Sequence, residues 1–251
     1  PAALNNIVGL KPTLGALSNS GVVPACRTLD TVSVFALTVP DAWTAFRAAA
    51  CYDANDAYSR KINLPPLRTP PPITCIGVPN PTTREFFGDT YQAQCFDSAL
   101  AKLTDSGVKI RELDFTPFYE VAEMLYNGPW VAERLSVIGN LISKNPEAVH
   151  PVTRQVISKG GSLTAVDAFR GIYRLAELRR IAAPLLDEVD MLCVPSIPTF
   201  YSLADLDADP IGPNSRLGTY TNFVNLMDLC AIAVPCSPRN DGRPGSVTLV
   251  A

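Results

Sequence analysis

Short apolar runs alternate along the chain with segments of helical periodicity, and this alternation restricts the fold more than any other feature of the sequence. Strands are predicted at residues 73–79, 108–115, 190–195 and 231–235, and residues 247–251 have the composition of one more strand. Strands separated by helices are the pattern of layered α/β folds. The sequence therefore predicts an α/β fold built around a central sheet.

Helical periodicity is clearest in three regions. The middle one, residues 117–143, is interrupted where Asn127-Gly128-Pro129 favours a break and the start of a new helix. The other two carry apolar side chains on one face, and Pro184 is expected to kink the later one. The expected faces are Phe87, Tyr91, Cys95, Ala99 and Leu103 in the earlier region and Phe169, Ile172, Tyr173, Ala176 and Leu185 in the later one.

Local signals predict where these elements begin and end. Gly107 is suited to end the first helix, because glycine adopts the left-handed conformation found there. Thr164 and Asp167 have the spacing of a capping box, so the long helix is expected to begin at that point. Residues 221–230 also have a helical pattern, whereas residues 203–213 are acidic and flanked by proline, which predicts a surface loop.

The composition excludes several classes of function. A net charge of -3 over 251 residues gives no basic surface for a phosphate backbone, so nucleic-acid binding is not expected. No apolar run reaches the roughly 18 residues of a membrane span, so no membrane partner is expected. The seven cysteines are scattered without a CxxC pair, which favours reduced core thiols in a cytoplasmic protein over disulfides or a zinc site.

Few residues offer catalytic chemistry of their own. His150 is the only histidine, and without a GxSxG motif a loop or surface position is favoured over a catalytic one. Ser162 follows two glycines and is a candidate nucleophile, but a loop that ends in helix-capping residues is the favoured interpretation. Lys11 is a candidate general base, although its neighbouring proline favours a structural turn. With no GxGxxG or P-loop motif and one histidine, neither a cofactor nor a metal is expected.

Tyr126 and Arg134 are stronger candidates for a binding site. They flank the helix break, where side chains from two helices converge on a cleft. A guanidinium near a helix start, beside a tyrosine hydroxyl, holds a planar carboxylate through paired hydrogen bonds. The alternative is that Arg134 is a solvated charge next to Glu133, and the residues alone leave both interpretations open.

Two stretches of the sequence resemble the amidase signature family. The first is PAALNNIVGLKPT at residues 1–13, which continues to Asp30 in the spacing that the family shows after its nucleophile, GxKPTxGxxSxxGxxPxxxxLD. The second is TYTNFVNL at residues 219–226, followed by AIAVP at residues 231–235. The resemblance spans nearly the whole chain and implies a layered α/β/α fold with a mixed central sheet, incomplete in this chain.

Within that family, three stretches look like allophanate hydrolases: PACRTLD at residues 24–30, YNGPWVAER at residues 126–134 and VHPVTR at residues 149–154. In that subfamily a tyrosine and an arginine eight positions apart hold the substrate, so the resemblance implies that Tyr126 and Arg134 bind it. The family's serine nucleophile, second serine and lysine correspond to positions before Pro1. The resemblance therefore implies no catalytic residue in this chain, and neither Ser162 nor Lys11 inherits a role.

The resemblance implies a hydrolase that converts the small molecule allophanate to ammonia and carbon dioxide, without a cofactor or metal, as a cytoplasmic homodimer. Residues 1–251 are then the C-terminal portion of one amidase-signature domain, truncated at both ends. Alone, this portion is expected to be inactive and marginally stable, because its sheet would expose unpaired edges. Two alternatives stay open: an amidase for another small carboxylate-bearing amide, and a non-catalytic binding module with the amidase fold.

Overall fold

The computed structural model of the protein describes residues 1–64 and 75–251, and within them seven strands form one sheet. The strands are β1 (Val8–Lys11), β2 (Val34–Ala36), β3 (Cys75–Pro79), β4 (Lys109–Leu113), β5 (Met191–Pro195), β6 (Ala231–Cys236) and β7 (Gly245–Val250). Their order across the sheet is β2-β1-β6-β7-β5-β3-β4. β3 is parallel to both β4 and β5, whereas the other neighbouring pairs are antiparallel. The sheet is therefore mixed, as the family resemblance implied.

The five strands predicted from apolar runs are present as β3 to β7. Residues Ile73 and Thr74 of the first predicted strand lie outside the described residues. Strands β1 and β2, which are short and half-buried, were not predicted. The structural turn predicted at Lys11 is wrong, because Lys11 is the last residue of β1 and pairs with Ala231 of β6.

Helices pack on both faces of the sheet. They are α1 (Ala2–Asn5), α2 (Val39–Ala49), α3 (Thr90–Asp105), α4 (Thr116–Asn127), α5 (Trp130–Lys144), α6 (Pro151–Ser158), α7 (Ala165–Asp187), α8 (Leu203–Ala208), α9 (Gly212–Leu217) and α10 (Phe223–Leu226). Short 3-10 helices occupy Pro146–Ala148 and Lys159–Ser162. In the part of the chain that the structure describes, no helix is long and apolar enough to cross a membrane.

Three predicted helix ends are confirmed. α4 ends at Asn127 and α5 begins at Trp130, so the break lies where it was predicted. Gly107 follows α3 with a left-handed φ of 89°. The Thr164 hydroxyl accepts a hydrogen bond from the Asp167 N–H at 3.2 Å, and the Asp167 carboxylate accepts one from the Thr164 N–H at 2.9 Å. The helix that this capping box starts continues through Pro184 to its last residue.

The predicted apolar faces of α3 and α7 are partly wrong. The buried residues of α3 are Gln92, Cys95, Phe96, Ala99 and Leu100. The buried residues of α7 are Leu175, Leu178 and Ala182. The predicted residues that turn out to be exposed are Phe87, Tyr91, Phe169, Ile172, Tyr173 and Ala176. Both helices carry apolar side chains on more than one face. Contact of α3 with the sheet and of α7 with α4 selects the stripe that is buried.

Two regions between the main elements also differ from the prediction. Residues 203–213 lie at the surface as expected, but they form α8 and the start of α9 instead of a loop. Ser202 and Asp205 make a capping box at the start of α8, with the Ser202 N–H donating to the Asp205 carboxylate at 2.7 Å. In the predicted helix 221–230, only Phe223–Leu226 is helical, and Asp228 takes a left-handed φ of 59° that stops it.

The core has a main cluster on each face of the sheet, and a third, smaller cluster surrounds Phe46. On one face, α4, α7 and α10 pack on Leu192 and Val194 of β5. On the other face, α3 packs on Cys193 of the same strand and on Ile76 and Val78 of β3. Adjacent strand residues point to opposite faces, so a strand covered on both sides must be apolar throughout. This produces the three-layer arrangement, in which Cys193, like Cys26 and Cys95, is buried while Cys51 is exposed.

Candidate functional site

The break between α4 and α5 depends on a glycine and a proline. The Gly128 N–H donates to the Met124 carbonyl at 2.9 Å, and a Cβ at Gly128 would lie 2.4 Å from the same oxygen. Only glycine permits this close approach at the end of the helix. Pro129 then precedes the first turn of α5, and its ring packs where a Cβ of Gly171 on α7 would stand. The direction of α5 is therefore fixed at its first residue.

This break brings Tyr126 and Arg134 into direct contact, as predicted. The Arg134 guanidinium carbon lies 4.6 Å from the centre of the Tyr126 ring, within the range of a cation–π contact. Tyr126 stays 37% exposed. The Nε atom of Arg134 is buried and has no hydrogen-bond partner. A guanidinium that is held in place while its donors stay unused is suited to an anionic ligand.

The Glu133 carboxylate does not pair with Arg134, because it accepts hydrogen bonds from other residues. It accepts hydrogen bonds from the Thr28 N–H at 2.8 Å and the Thr28 hydroxyl at 2.7 Å. It also accepts one from the Cys26 thiol at 3.1 Å. Burial and this hydrogen bond raise the pKa of Cys26 to about 12, so the thiol stays protonated. Glu133 thus anchors residues 26–28 to α5, and Arg134 is more than a solvated charge beside it.

Two cavities of about 290 and 260 Å³ meet at Tyr126, Asn127 and Ser215. The first also carries Arg216 and Asn222, and the second carries Arg134, Thr153 and Lys159. Glu123 is the one acidic side chain that lines either cavity in the described chain. Three cationic side chains and several neutral donors therefore face a space suited to a small negatively charged molecule.

A larger cavity of about 520 Å³ lies between α5, α7 and the residues after α10. Its charged side chains already have partners within the protein. Arg60 forms an ion pair with Asp228 at 2.8 Å. The Arg179 guanidinium donates to the Leu226 carbonyl at 3.0 Å. Because these donors have partners within the fold, this cavity has less to offer a ligand than the space beside Tyr126.

The other residues considered from sequence lie apart from this site or have local partners. His150 is exposed immediately before α6, as predicted. The Ser162 hydroxyl donates to the Lys159 carbonyl at 2.9 Å within a 3-10 helix. Lys11 donates to the Pro12 carbonyl at 2.6 Å, and burial lowers its pKa to about 8 against the opposing charges of Cys230 and Asp228. In the described ranges no three His, Cys, Asp or Glu side chains converge as they would on a metal ion.

Sequence reasoning missed Lys159 and Arg216, which add cationic groups to the cavities. Arg216 lies on α9, close to the segment predicted as a loop, and its guanidinium carbon is 5.2 Å from the Phe87 ring. The capping pattern Ser202 to Asp205 was the available signal that this region is helical. Lys159 had no such signal, because only the packing of its 3-10 helix against α5 brings it to the cavity.

The fold is a mixed sheet between two helical layers, and the sequence matches the Amidase family over residues 1–251. The chain belongs to this family. It is 41% identical to the urea amidolyase of Saccharomyces cerevisiae over 253 residues, a match that covers 100% of this chain and 14% of that protein.

Solved structures agree with the family assignment. The allophanate hydrolase of Kluyveromyces lactis superimposes with a TM-score of 0.95 and 41% identity, covering 100% of this chain and 41% of that one. A 6-aminohexanoate cyclic dimer hydrolase, with a TM-score of 0.75 and 18% identity, shares the fold over 100% of this chain and 58% of its own. The chain thus spans well under half the length of the urea amidolyase and of the allophanate hydrolase.

Proposed function

We propose that this chain is part of an amidase-signature hydrolase that cleaves allophanate to ammonia and carbon dioxide, and that it supplies the substrate-binding residues Tyr126 and Arg134. The environment of Arg134 is the main support for the proposal. Its guanidinium rests on the Tyr126 ring and faces a cavity, and its buried Nε has no partner. The similarity to a urea amidolyase and to an allophanate hydrolase supports the choice of substrate.

The chemistry of the site fits the substrate. Allophanate is small and planar, with a carboxylate and a terminal amide separated by one nitrogen. The planar fork of Arg134 holds both carboxylate oxygens in one orientation, and the Tyr126 hydroxyl donates one further hydrogen bond. A molecule of this size has little other surface to grip, so its carboxylate contacts also determine where the reacting carbon lies.

The reaction itself is assigned to residues outside this chain. In the family to which the chain belongs, a lysine and a second serine, which has an unusual cis peptide, transfer a proton from the serine nucleophile. The nucleophile attacks the terminal amide carbon, and ammonia leaves. Water then releases the acyl group, which breaks down to carbon dioxide and a second ammonia. In this scheme Arg134 neutralises the substrate carboxylate through both steps.

The remaining parts of the proposal concern the whole protein. Residues 1–251 are one portion of a single amidase-signature domain, and the greater lengths of the relatives support this. The protein acts as a homodimer in the cytoplasm, without a metal or cofactor. The carboxylate contact at Arg134 requires none of these properties.

The test is ammonia release by the complete protein from three matched substrates. Allophanate is compared with malonamate, which replaces the central nitrogen with carbon, and with acetamide, which lacks the carboxylate. We expect kcat/KM to be highest for allophanate and lowest for acetamide. Equal activity on acetamide would contradict a carboxylate-binding role, and a preference for malonamate would assign the site to another carboxylate-bearing amide. Ammonia release from none of the three would favour a non-catalytic module.

A further inference from the structure

Two cysteines meet on the face of the sheet opposite to the candidate site. Cys95 lies on the buried face of α3, and Cys236 is the last residue of β6. Their sulfur atoms are 3.7 Å apart, and both lie near the carbonyl of Ser237, at 3.5 Å from Cys95 and 3.8 Å from Cys236. The two residues are 141 positions apart in sequence, so the fold alone brings these thiols together.

The space around the two sulfurs depends on Gly245, the partner of Cys236 in the β6–β7 ladder. A Cβ at Gly245 would lie 2.6 Å from the Cys95 sulfur and 3.0 Å from the Cys236 sulfur. A disulfide has a sulfur–sulfur distance of about 2.05 Å, so the two atoms must approach by roughly 1.6 Å. The missing side chain of Gly245 leaves them room for that movement.

We propose that Cys95 and Cys236 are a site of oxidative modification, at which a small hydroperoxide converts the two thiols into an intramolecular disulfide that links α3 to β6. The oxidant is hydrogen peroxide or another hydroperoxide of similar size, because Cys95 is buried and Cys236 is only partly exposed. Bulkier disulfide reagents such as oxidised glutathione reach the pair less readily.

The reaction is balanced in two steps. One thiolate attacks the peroxide oxygen, which breaks the O–O bond, releases hydroxide and leaves a sulfenic acid. The second thiol attacks the sulfenic sulfur, and water leaves as the disulfide forms. In total, two thiols and one hydrogen peroxide give one disulfide and two waters. Burial and the neighbouring Cys95 raise the pKa of Cys236 to about 12, so the Cys236 thiol is protonated at neutral pH and oxidation is slow.

The disulfide would reinforce a contact that the fold already makes. Residues 237–244 connect β6 to β7 and carry Arg239, which forms an ion pair with Asp89 at 2.9 Å. Asp89 caps the start of α3, the helix that carries Cys95. The covalent link therefore joins the strand end just before this connection to the same helix, one or two turns further along. Cys193 on β5 is the nearby competitor, and burial together with the proximity of Cys236 raises the pKa of its thiol to about 12.

The test exposes the folded, complete protein to hydrogen peroxide at neutral pH, then alkylates the remaining thiols after unfolding and maps the linked peptides by mass spectrometry. We expect a Cys95–Cys236 link that is absent from Cys95→Ser and Cys236→Ser. Cys51→Ser removes an exposed thiol and is the control, in which the link persists. A Cys193–Cys236 link, or full alkylation of Cys95 and Cys236 while Cys51 is oxidised, would overturn the proposal.

Thermal unfolding provides a second measurement. Closing so long a loop restricts the unfolded chain, and we expect the Tm of the oxidised protein to rise by on the order of 5 °C. The same rise is expected in Cys51→Ser and no rise in Cys95→Ser. A link accompanied by a fall in Tm would show that the folded structure does not accommodate the disulfide, contrary to the proposal.

Discussion

Two arginines in this structure each lie over an aromatic ring, but their other contacts differ. The guanidinium carbon of Arg239 lies 4.5 Å from the Phe200 ring, and that of Arg134 lies 4.6 Å from the Tyr126 ring. Arg239 is 1% exposed and donates hydrogen bonds to Asp89, Asp241 and Gln92. Arg134 faces a cavity, has a buried Nε without a partner, and forms no ion pair with any residue that the structure describes.

Under the proposed function, the difference separates an arginine that stabilises the fold from one that binds the substrate carboxylate. Burying a charge is costly unless it is paired, so Arg239 is tolerable only because two carboxylates and an amide satisfy it. The ring beneath Arg134 fixes its position but offers no acceptor for its N–H groups. A preorganised cation that the protein leaves unpaired lowers the cost of binding an anion, because little has to move when the anion arrives.

The largest effect is expected at Arg239. Arg239→Met keeps most of the side-chain volume and leaves the carboxylates of Asp89 and Asp241 without their partner. We expect the free energy of unfolding to fall by about 3–5 kcal/mol, measured by urea denaturation. Arg243→Met is the matched control, because Arg243 lies in the same connection and over the same Phe200 ring but is 54% exposed. For Arg243→Met, the free energy of unfolding should fall by less than about 1 kcal/mol. An equal fall in both variants would show that Arg239 stabilises the fold no more than Arg243 does.

The next effect is expected on catalysis at Arg134. Lysine keeps the charge but lacks the planar fork, so Arg134→Lys should be nearly as damaging as Arg134→Ala. Loss of the contact costs about 1.5–3 kcal/mol, which corresponds to a roughly tenfold to hundredfold lower kcat/KM on allophanate. Unfolding stability should change little, in contrast to Arg239. Arg170→Lys, on an arginine that is 76% exposed, is the control. Near-normal kcat/KM for Arg134→Lys would rule out the carboxylate contact.

A smaller effect is expected at Tyr126. Tyr126→Phe removes one neutral donor but keeps the ring under Arg134, so kcat/KM should fall by roughly threefold to tenfold. Tyr126→Leu removes the ring as well and should approach the loss seen in Arg134→Ala. Steady-state kinetics on allophanate separate the two variants. If phenylalanine is as damaging as leucine, the hydroxyl and not the ring is the essential group.

The smallest expected effect is the pH dependence of the stability that Arg239→Met loses. The hydrogen bond from Arg239 is the main cause that lowers the pKa of Asp241 to about 2. Burial opposes ionisation of Asp89, but the hydrogen bonds from Arg239, Gln92 and Thr199 outweigh it and lower its pKa as well. A depressed carboxyl pKa stabilises the fold above the unfolded value near 3.8, and this stabilisation is lost as the pH falls towards 2. The stability difference between wild type and Arg239→Met should therefore be smaller at pH 3 than at pH 7.

The partner of Arg134 could be predicted from the sequence, whereas the partners of Arg239 could not. The reason is physical. Arg134 and Tyr126 flank a helix break that Gly128 and Pro129 indicate locally, so their convergence was predictable. The partners of Arg239 are scattered, with Asp89 lying 150 positions away. No local pattern indicates such a pair, and only the folded sheet brings it together.

The same limit applies to the helix faces. The apolar runs of β3, β5 and β7 were predictable, because strands covered on both sides have to be apolar along most of their length. The burial of α7 was not predictable in this way. Phe169 and Tyr173 are larger than Leu175 and Ala182, yet they remain exposed because packing against α4 selects the stripe. Periodicity indicates that a helix exists but not which of two apolar faces is buried.

The contact between Glu133 and Thr28 has a kinetic consequence. Its partners are 105 residues apart in sequence, and contacts of such separation form slowly because a long loop must close first. Arg134 is the next residue after Glu133, so the candidate site reaches its final geometry only when this distant closure is complete. During refolding, allophanate turnover should therefore return later than the helical circular dichroism signal. Recovery of activity would report this long-range closure, not the formation of the helices.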